Sequence, residues 1–136
     1  MSAPVTSFKQ QVTFNTTPEE LYEQIMDAKK HAKFTGQKAT MSRKVGGEFS
    51  LFDDSAYGKN IELIPNKKIV QTWRMRQENW PEDVMSEITF DFQPAGKNKT
   101  KLIFTQRNIP SNVADEFKQG WKDYYWEPLK AMFNKK

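Results

Sequence analysis

The stretch that most constrains the fold is QGWKDYYWEPLKAMF, residues 119 to 133, which sets five large aromatic side chains and a proline in a helical pattern. At about 100° per residue, the apolar side chains of this region cover roughly half of the helix circumference. So wide a stripe predicts a helix surrounded by a curved sheet, because a helix on a flat sheet needs a narrower one. The stripe comprises Val113, Ala114, Phe117, Trp121, Tyr124, Tyr125, Leu129, Met132 and Phe133.

Pro128 interrupts this helical pattern. Proline cannot donate a hydrogen bond to the carbonyl of Tyr124, and its ring crowds that turn, so we expect a bend that lets the helix follow the sheet. Trp126 falls opposite the stripe, among charged residues. It either anchors a partner protein, or stacks on the side-chain stems of Lys122 and Lys130, or is covered by an early helix or loop.

The composition indicates one globular domain, residues 1–136. Thirty-seven per cent of the residues are hydrophobic and 28% are charged, which is ordinary for a folded chain of this length. Cysteine is absent, so a disulfide framework and thiolate chemistry are excluded. No signal peptide is recognisable, and no apolar run approaches the ~20 residues of a membrane span. We therefore expect a soluble, cytoplasmic protein, and a monomer.

The rest of the chain predicts one strand, two helices and six strands before the last helix. FKQQVTF alternates as a half-buried strand does. A helix then begins at Thr17 and Pro18 with capping-box spacing to Glu20, and a short helix over about 29–34 stops near Gly36. The six strands have short connections, which imply antiparallel neighbours: KATMS, GGEFSLFD, YGKNIELI, IVQTWRMR, VMSEITFDF and KLIFTQRN. The predicted class is α+β, a helix-grip fold with the order β-α-α-β6-α.

Several polar side chains are predicted on the inner face of this sheet. Alternation puts Gln10, Gln71, Ser86 and Gln106 among large apolar groups, and a buried amide without a partner costs ~1–3 kcal/mol. One interpretation is a cavity for a fatty acid or an aromatic molecule. The others are a filled core in which Tyr124 or Tyr125 pairs with the amides, or strand ends in solvent. The residues predicted to line the cavity are Gln71, Trp73, Ser86, Phe90, Phe104, Gln106, Phe117, Trp121 and Tyr125.

Catalytic and metal-binding constellations are missing from the sequence. His31 is the only histidine and lies between lysines, which favours a surface position over a catalytic one. One histidine without cysteine excludes the usual zinc sites. Asp53 and Asp54 are adjacent and favour a turn, and GGEF lacks the lysine and spacing of a phosphate loop. We therefore expect no enzyme, no metal and no cofactor.

Positive charge is concentrated between residues 28 and 47, although the net charge is only +4. This basic segment either steers an acidic partner by long-range attraction or is simply a solvated face. Nucleic acid is not expected, because aromatic residues are not interleaved with the basic ones. The candidate partner-binding residues are Lys29, Lys30, Lys33, Arg43, Lys44 and Trp126.

Four stretches resemble one known family: TPEELYEQI, GGEFSLFD, LIPNKKIVQTWRMRQENWPED and IPSNVADEFKQGWKDYYWEPLKAMF. They are similar, in the same order, to the C-terminal domain of the activator of the 90-kDa heat-shock-protein ATPase and to its stand-alone bacterial homologues. The resemblance implies a helix-grip fold of the START and birch-pollen-allergen type, the SRPBCC superfamily. It also implies a chaperone-linked or stress-related interaction module. The alternative is a carrier or sensor for a small hydrophobic ligand.

The eukaryotic activators of this family carry a separate N-terminal domain that does most of the ATPase stimulation. A chain of 136 residues has no room for that domain. We therefore expect weak, salt-sensitive contact with a chaperone and little stimulation of its ATPase.

Overall fold

A computed structural model describes residues 4–134 and shows one seven-stranded antiparallel sheet with the order β1-β7-β6-β5-β4-β3-β2. The predicted order β-α-α-β6-α and the curved helix-grip architecture are confirmed. The elements are β1 (Val5–Phe14), α1 (Pro18–Met26), α2 (Ala28–Thr35), β2 (Thr40–Met41), β3 (Glu48–Leu51), β4 (Ala56–Ile64), β5 (Lys68–Met75), β6 (Ser86–Pro94), β7 (Thr100–Pro110), α3 (Ala114–Trp121), a π-helical segment (Lys122–Trp126) and α4 (Glu127–Phe133).

The first helix begins where the sequence predicts, and α2 extends one residue beyond each end of the predicted range of about 29–34 and stops at Gly36 as expected. Thr17 Oγ1 accepts from the backbone N–H of Glu20 at 3.2 Å. Asp27 follows α1 and caps α2, and its hydrogen bond from the backbone N–H of Lys30 lowers the pKa of the Asp27 carboxyl. Gly36 ends α2 with a φ of 76°, a conformation that glycine adopts at little cost. These caps fix α2 so that its buried residues face the C-terminal helix.

The inner face of the sheet is the one that alternation predicts. Across β5, β6 and β7, Gln71 pairs with Ile88 and Phe90 pairs with Phe104, and the residues of these strands that are predicted to line the cavity are all buried. Arg74 of β5 is also buried, with only 8% of its surface exposed. The reason is that Arg74 Nη2 donates to the carbonyl of Trp80 at 3.0 Å, so the β5–β6 connection covers it.

The C-terminal helix departs from the predicted phase at one point. Most of the predicted stripe is buried, but Tyr124 is 51% exposed and Trp126 only 3%, so both assignments are wrong. The cause is the π-helical segment, in which the N–H of Glu127 donates to the carbonyl of Lys122, five residues back. The extra residue in this turn rotates the rest of the helix, so that Tyr125 and Trp126 both face the sheet. The segment ends two residues before Pro128, which has no N–H to continue regular α-helical bonding.

Candidate functional site

Two of the three inward glutamines, Gln106 and Gln10, are paired with indole groups of the C-terminal helix, not with tyrosine hydroxyls. Gln106 Oε1 accepts from Trp121 Nε1 at 2.8 Å, and Gln106 Nε2 donates to Ser86 Oγ at 3.0 Å. Gln10 Oε1 accepts from Trp126 Nε1 at 2.8 Å, and its amide nitrogen donates to the carbonyl of Lys118. Three of these four bonds join the C-terminal helix to the sheet, and the fourth joins β7 to β6. Both amides therefore have protein partners and need no ligand.

Gln71 belongs to a separate polar cluster beside the connection between β2 and β3. Its Nε2 donates to Asn60 Oδ1 at 2.9 Å. Asn60 in turn donates to the carbonyls of Ser42 and Lys44. The cluster holds the β2–β3 connection against β4, and Gln71 is only 2% exposed.

The surface position predicted for His31 is wrong, because its side chain is only 2% exposed. Its Nδ1 lies 2.9 Å from the carbonyl of Ile25, which can only accept, so Nδ1 carries the proton. Nε2 is then the acceptor for the Tyr125 hydroxyl at 2.7 Å. Burial lowers the pKa of His31 to about 4 and raises the pKa of Tyr125. The neutral pair ties α2 to the π-helical segment.

An open groove with a volume of about 530 Å³ lies between the C-terminal helix and the sheet. We call it the helix–sheet groove. Four of the predicted cavity residues line it: Trp73, Phe117, Trp121 and Tyr125. The other five lie in the packed layer away from it: Gln71, Ser86, Phe90, Phe104 and Gln106. Its remaining lining is Gln37, Phe52, Ser55, Met75, Gln77, Glu116, Gln119, Gly120, Asp123 and Tyr124.

Part of the groove wall is formed by Phe52, which belongs to a strained connection. Phe52, Asp53 and Asp54 follow one another between β3 and β4 with φ of 52°, 55° and 71°, and such left-handed residues cost of order 1 kcal/mol or more each. Phe52 packs edge-on against Tyr124 and Tyr125, with ring centroids 5.7 and 6.1 Å apart. The predicted turn at the two aspartates is therefore present, and it shapes the groove.

Gly120 opens the groove from the helix side, and sequence reasoning missed it. A Cβ added at Gly120 would meet no atom within 4 Å. Core packing therefore does not require glycine here, although glycine in a helix costs roughly 0.5–1 kcal/mol relative to alanine. Because glycine is unfavourable inside a helix, its presence in the middle of the apolar helical pattern was the signal from which a gap could have been inferred. The exposed Tyr124 was missed for a different reason, namely the shift of phase in the π-helical segment.

The basic segment lies on a second surface. Lys29, Lys30 and Lys33 are exposed on α2, and Arg43 and Lys44 are exposed in the β2–β3 connection. Arg43 pairs with Glu23, which ties this connection to α1. Within residues 4–134, none of the four lysines is within 4 Å of a carboxylate. The sixth predicted partner residue, Trp126, is buried and bonded to Gln10, so it cannot anchor a partner on the surface.

Residues 4–134 contain neither a metal-binding cluster nor a membrane-spanning helix. No group of three or more His, Cys, Asp or Glu side chains is arranged to hold a metal ion within this range. In the same part of the chain, no helix is both long and apolar enough to cross a bilayer.

A family model described as Activator of Hsp90 ATPase homolog 1-like protein matches residues 15–134. The chain is 37% identical over 122 residues to human Activator of 90 kDa heat shock protein ATPase homolog 1, an alignment covering 89% of this chain and 35% of the human protein. For the Dictyostelium discoideum homologue the identity is 34% over 121 residues, covering 89% and 31%. The chain thus spans about a third of the length of these relatives, which are named as activators of an ATPase and not as enzymes.

Solved structures share the fold. The crystal structure of an Hsp90 activator from Plasmodium falciparum has a TM-score of 0.87 and 31% identity, and the match covers 93% of this chain and 95% of that one. The solution structure of an Aha1 dimer from Colwellia psychrerythraea has a TM-score of 0.76 at 21% identity, covering 96% and 98%. At that lower identity the likeness concerns the fold alone.

Proposed function

Because the chain belongs to the family of Activator of Hsp90 ATPase homolog 1-like proteins, we propose that it is an interaction module that binds a 90-kDa heat-shock chaperone. The observation that carries this proposal is the match of residues 15–134 to that family, together with 37% identity to a protein named as an activator of the chaperone. The proposal concerns binding. Two thirds of the human relative lie outside the match, so we expect little ATPase stimulation by these residues alone.

The basic segment is the surface that we propose for this contact. Lys29, Lys30, Lys33 and Lys44 are exposed and have no carboxylate partner within residues 4–134, so an acidic partner would not have to displace an existing ion pair. Exposed charges of one sign mainly accelerate association and make it sensitive to salt. The expected complex is therefore weak at physiological ionic strength and tighter at low salt.

Titration of a purified 90-kDa chaperone into the ¹⁵N-labelled chain tests this surface. The variant Lys29→Glu/Lys30→Glu/Lys33→Glu should weaken binding about tenfold or more at low salt, since each reversed charge turns attraction into repulsion. The matched control, Lys67→Glu/Lys97→Glu/Lys99→Glu, changes the net charge equally but places the charges in the β4–β5 and β6–β7 connections.

Equal weakening by the two triple variants would show that only net charge matters, and the assignment of the surface would be wrong. Absence of any chemical-shift change with the unmodified chain at low salt would contradict the chaperone proposal itself. Strong ATPase stimulation by this chain alone would contradict the restriction to binding.

A second candidate function is a carrier or sensor for a small apolar molecule. The helix–sheet groove favours it, because a volume of about 530 Å³ is in the usual range for small-molecule sites and aromatic side chains dominate its wall. Two further observations favour a ligand site in the groove. The buried Nε1 of Trp73 has no acceptor within residues 4–134, and the backbone of the Phe52–Asp54 connection is strained. Unfavourable local geometry of this kind clusters at ligand sites.

A further inference from the structure

The helix–sheet groove has an acidic rim, which is unexpected in a chain with a net charge of +4. Its only charged lining residues within the described part of the chain are Glu116 and Asp123. Neither forms an ion pair within residues 4–134. Both are exposed, so their charge is free to act on a molecule in the groove.

The two carboxylates flank the gap left by Gly120. Residues three and four apart are neighbours on a helix surface, so Glu116 precedes Gly120 by one turn and Asp123 follows it by one. Asp123 Oδ1 accepts from Gln119 Nε2 at 2.8 Å, which orients the carboxylate on the groove side of the helix. The gap therefore offers space for a ligand group between two negative charges.

The walls of the groove also suit a positive charge. Trp73, Trp121, Tyr124 and Phe52 line it with aromatic rings, and the face of an aromatic ring attracts cations. Two basic side chains flank Met75, and neither lines the groove. Arg74 donates to the carbonyl of Trp80, and Arg76 stacks on Tyr57 at 4.1 Å and donates to the carbonyl of Asp54.

We propose that the helix–sheet groove binds a small organic cation, with an aromatic or apolar body and one ammonium or amidinium group next to Gly120. This proposal rests on the second proposed function and adds the charge of the ligand. It disfavours the fatty acid suggested by sequence reasoning, because a ligand carboxylate would lie close to Glu116 and Asp123. Gln106 and Gln71, which were predicted to line the cavity, are instead bonded to Trp121 and Asn60.

Three probes of nearly equal shape separate charge from apolar burial: naphthalen-2-ylmethylammonium, naphthalen-2-ylmethanol and naphthalene-2-carboxylate. Each is titrated into the ¹⁵N-labelled chain at low salt. The indole N–H signals of Trp73 and Trp121, whose rings line the groove, should move, whereas that of Trp126, which does not line it, should move less. We expect the cation to bind about tenfold more tightly than the carboxylate, with the alcohol between them. The difference should shrink as salt is added.

Substitutions test whether Glu116 and Asp123 cause the preference for the cation. Glu116→Gln/Asp123→Asn should weaken cation binding about three- to tenfold and leave the alcohol unchanged, since exposed charge contacts are individually small. The matched control is Asp115→Asn, whose carboxylate is on the same helix but pairs with Lys118 and does not line the groove. Gly120→Leu should abolish binding of all three probes, because its side chain occupies the gap.

The possible results distinguish the ligand function of the groove from its preference for a cation. If the alcohol binds but the cation binds no better than the carboxylate, the proposed charge selection is wrong and the ligand function stands. The same holds if Glu116→Gln/Asp123→Asn has no effect on the cation. If no probe moves the signals of Trp73 and Trp121, or if Gly120→Leu still binds them, then the groove is not a ligand site and both proposals are wrong.

Discussion

The buried His31 should make the fold sensitive to mild acid. Burial lowers the pKa of His31 from 6.5 to about 4, while the unfolded chain keeps the ordinary value. Between these two values the unfolded state binds a proton that the folded state does not. The free energy of unfolding is therefore at its full value above about pH 6.5 and falls as the pH drops towards 4. Each pH unit below the unfolded-state pKa of 6.5 lowers the free energy of unfolding by about 1.4 kcal/mol. At pH 5 the loss that His31 causes is therefore about 2 kcal/mol.

Urea unfolding at a series of pH values measures this loss, and His31→Gln is the control. Glutamine keeps an amide donor for the Ile25 carbonyl but does not titrate. In the variant, the carboxylates still contribute to the pH dependence of the free energy of unfolding, whereas the contribution of His31 is absent. The variant should be less stable at pH 8, since it loses the ring that stacks on Phe34 at 5.0 Å. Its stability should nevertheless change about 2 kcal/mol less between pH 8 and pH 5 than that of the unmodified chain.

A direct measurement is available because the sequence contains one histidine. The Cε1–H signal of His31 in the folded protein should not titrate between pH 8 and pH 5. A midpoint near 6.5, or the same pH dependence of stability in His31→Gln, would refute the reasoning. Either result would mean that water reaches the ring and that the bond to Tyr125 does not hold it neutral.

Three further substitutions have expected effects on urea unfolding. Gly120→Ala should stabilise by roughly 0.5–1 kcal/mol, because the new Cβ meets no atom within 4 Å and helix propensity improves; a loss of stability would show that the gap is needed for folding. Gly58→Ala should cost about 3 kcal/mol or prevent folding, because its Cβ would lie 1.8 Å from the carbonyl oxygen of Thr72; an unchanged midpoint would contradict the close approach of β4 and β5. Gln71→Leu should cost ~1–3 kcal/mol, because Asn60 Oδ1 loses its donor; a neutral result would mean that water replaces the amide.

The elements could be predicted because their signals are local. Thr17 and Gly36 fix helix ends through their own backbone chemistry, and alternation along β5 to β7 reports which face is buried. The chaperone-activator family was likewise recognisable from the sequence, and the family match confirms it. These inferences need no knowledge of what lies across the core.

The errors concern residues whose environment depends on distant partners. His31 lies between Lys30 and Lys33 in the sequence, but the Tyr125 hydroxyl that it accepts from is 94 residues away. The inward glutamines were expected to need tyrosine hydroxyls, water or a ligand. For Gln106 and Gln10 the donors are Trp121 and Trp126. The overlooked signal was that a buried indole N–H requires an acceptor.

The π-helical segment connects the packed core to the open groove. A regular α-helix would place Tyr124 inward with Tyr125 and leave Trp126 in solvent, as the sequence pattern suggests. The added residue instead turns Trp126 towards Gln10 on β1 and leaves Tyr124 beside Phe52 at the groove. One irregular turn thus gives the helix a second tryptophan bonded to the sheet and gives the groove an exposed aromatic wall. A π-turn is less favourable than an α-turn, so the bond from Trp126 and the burial of its ring must offset that cost.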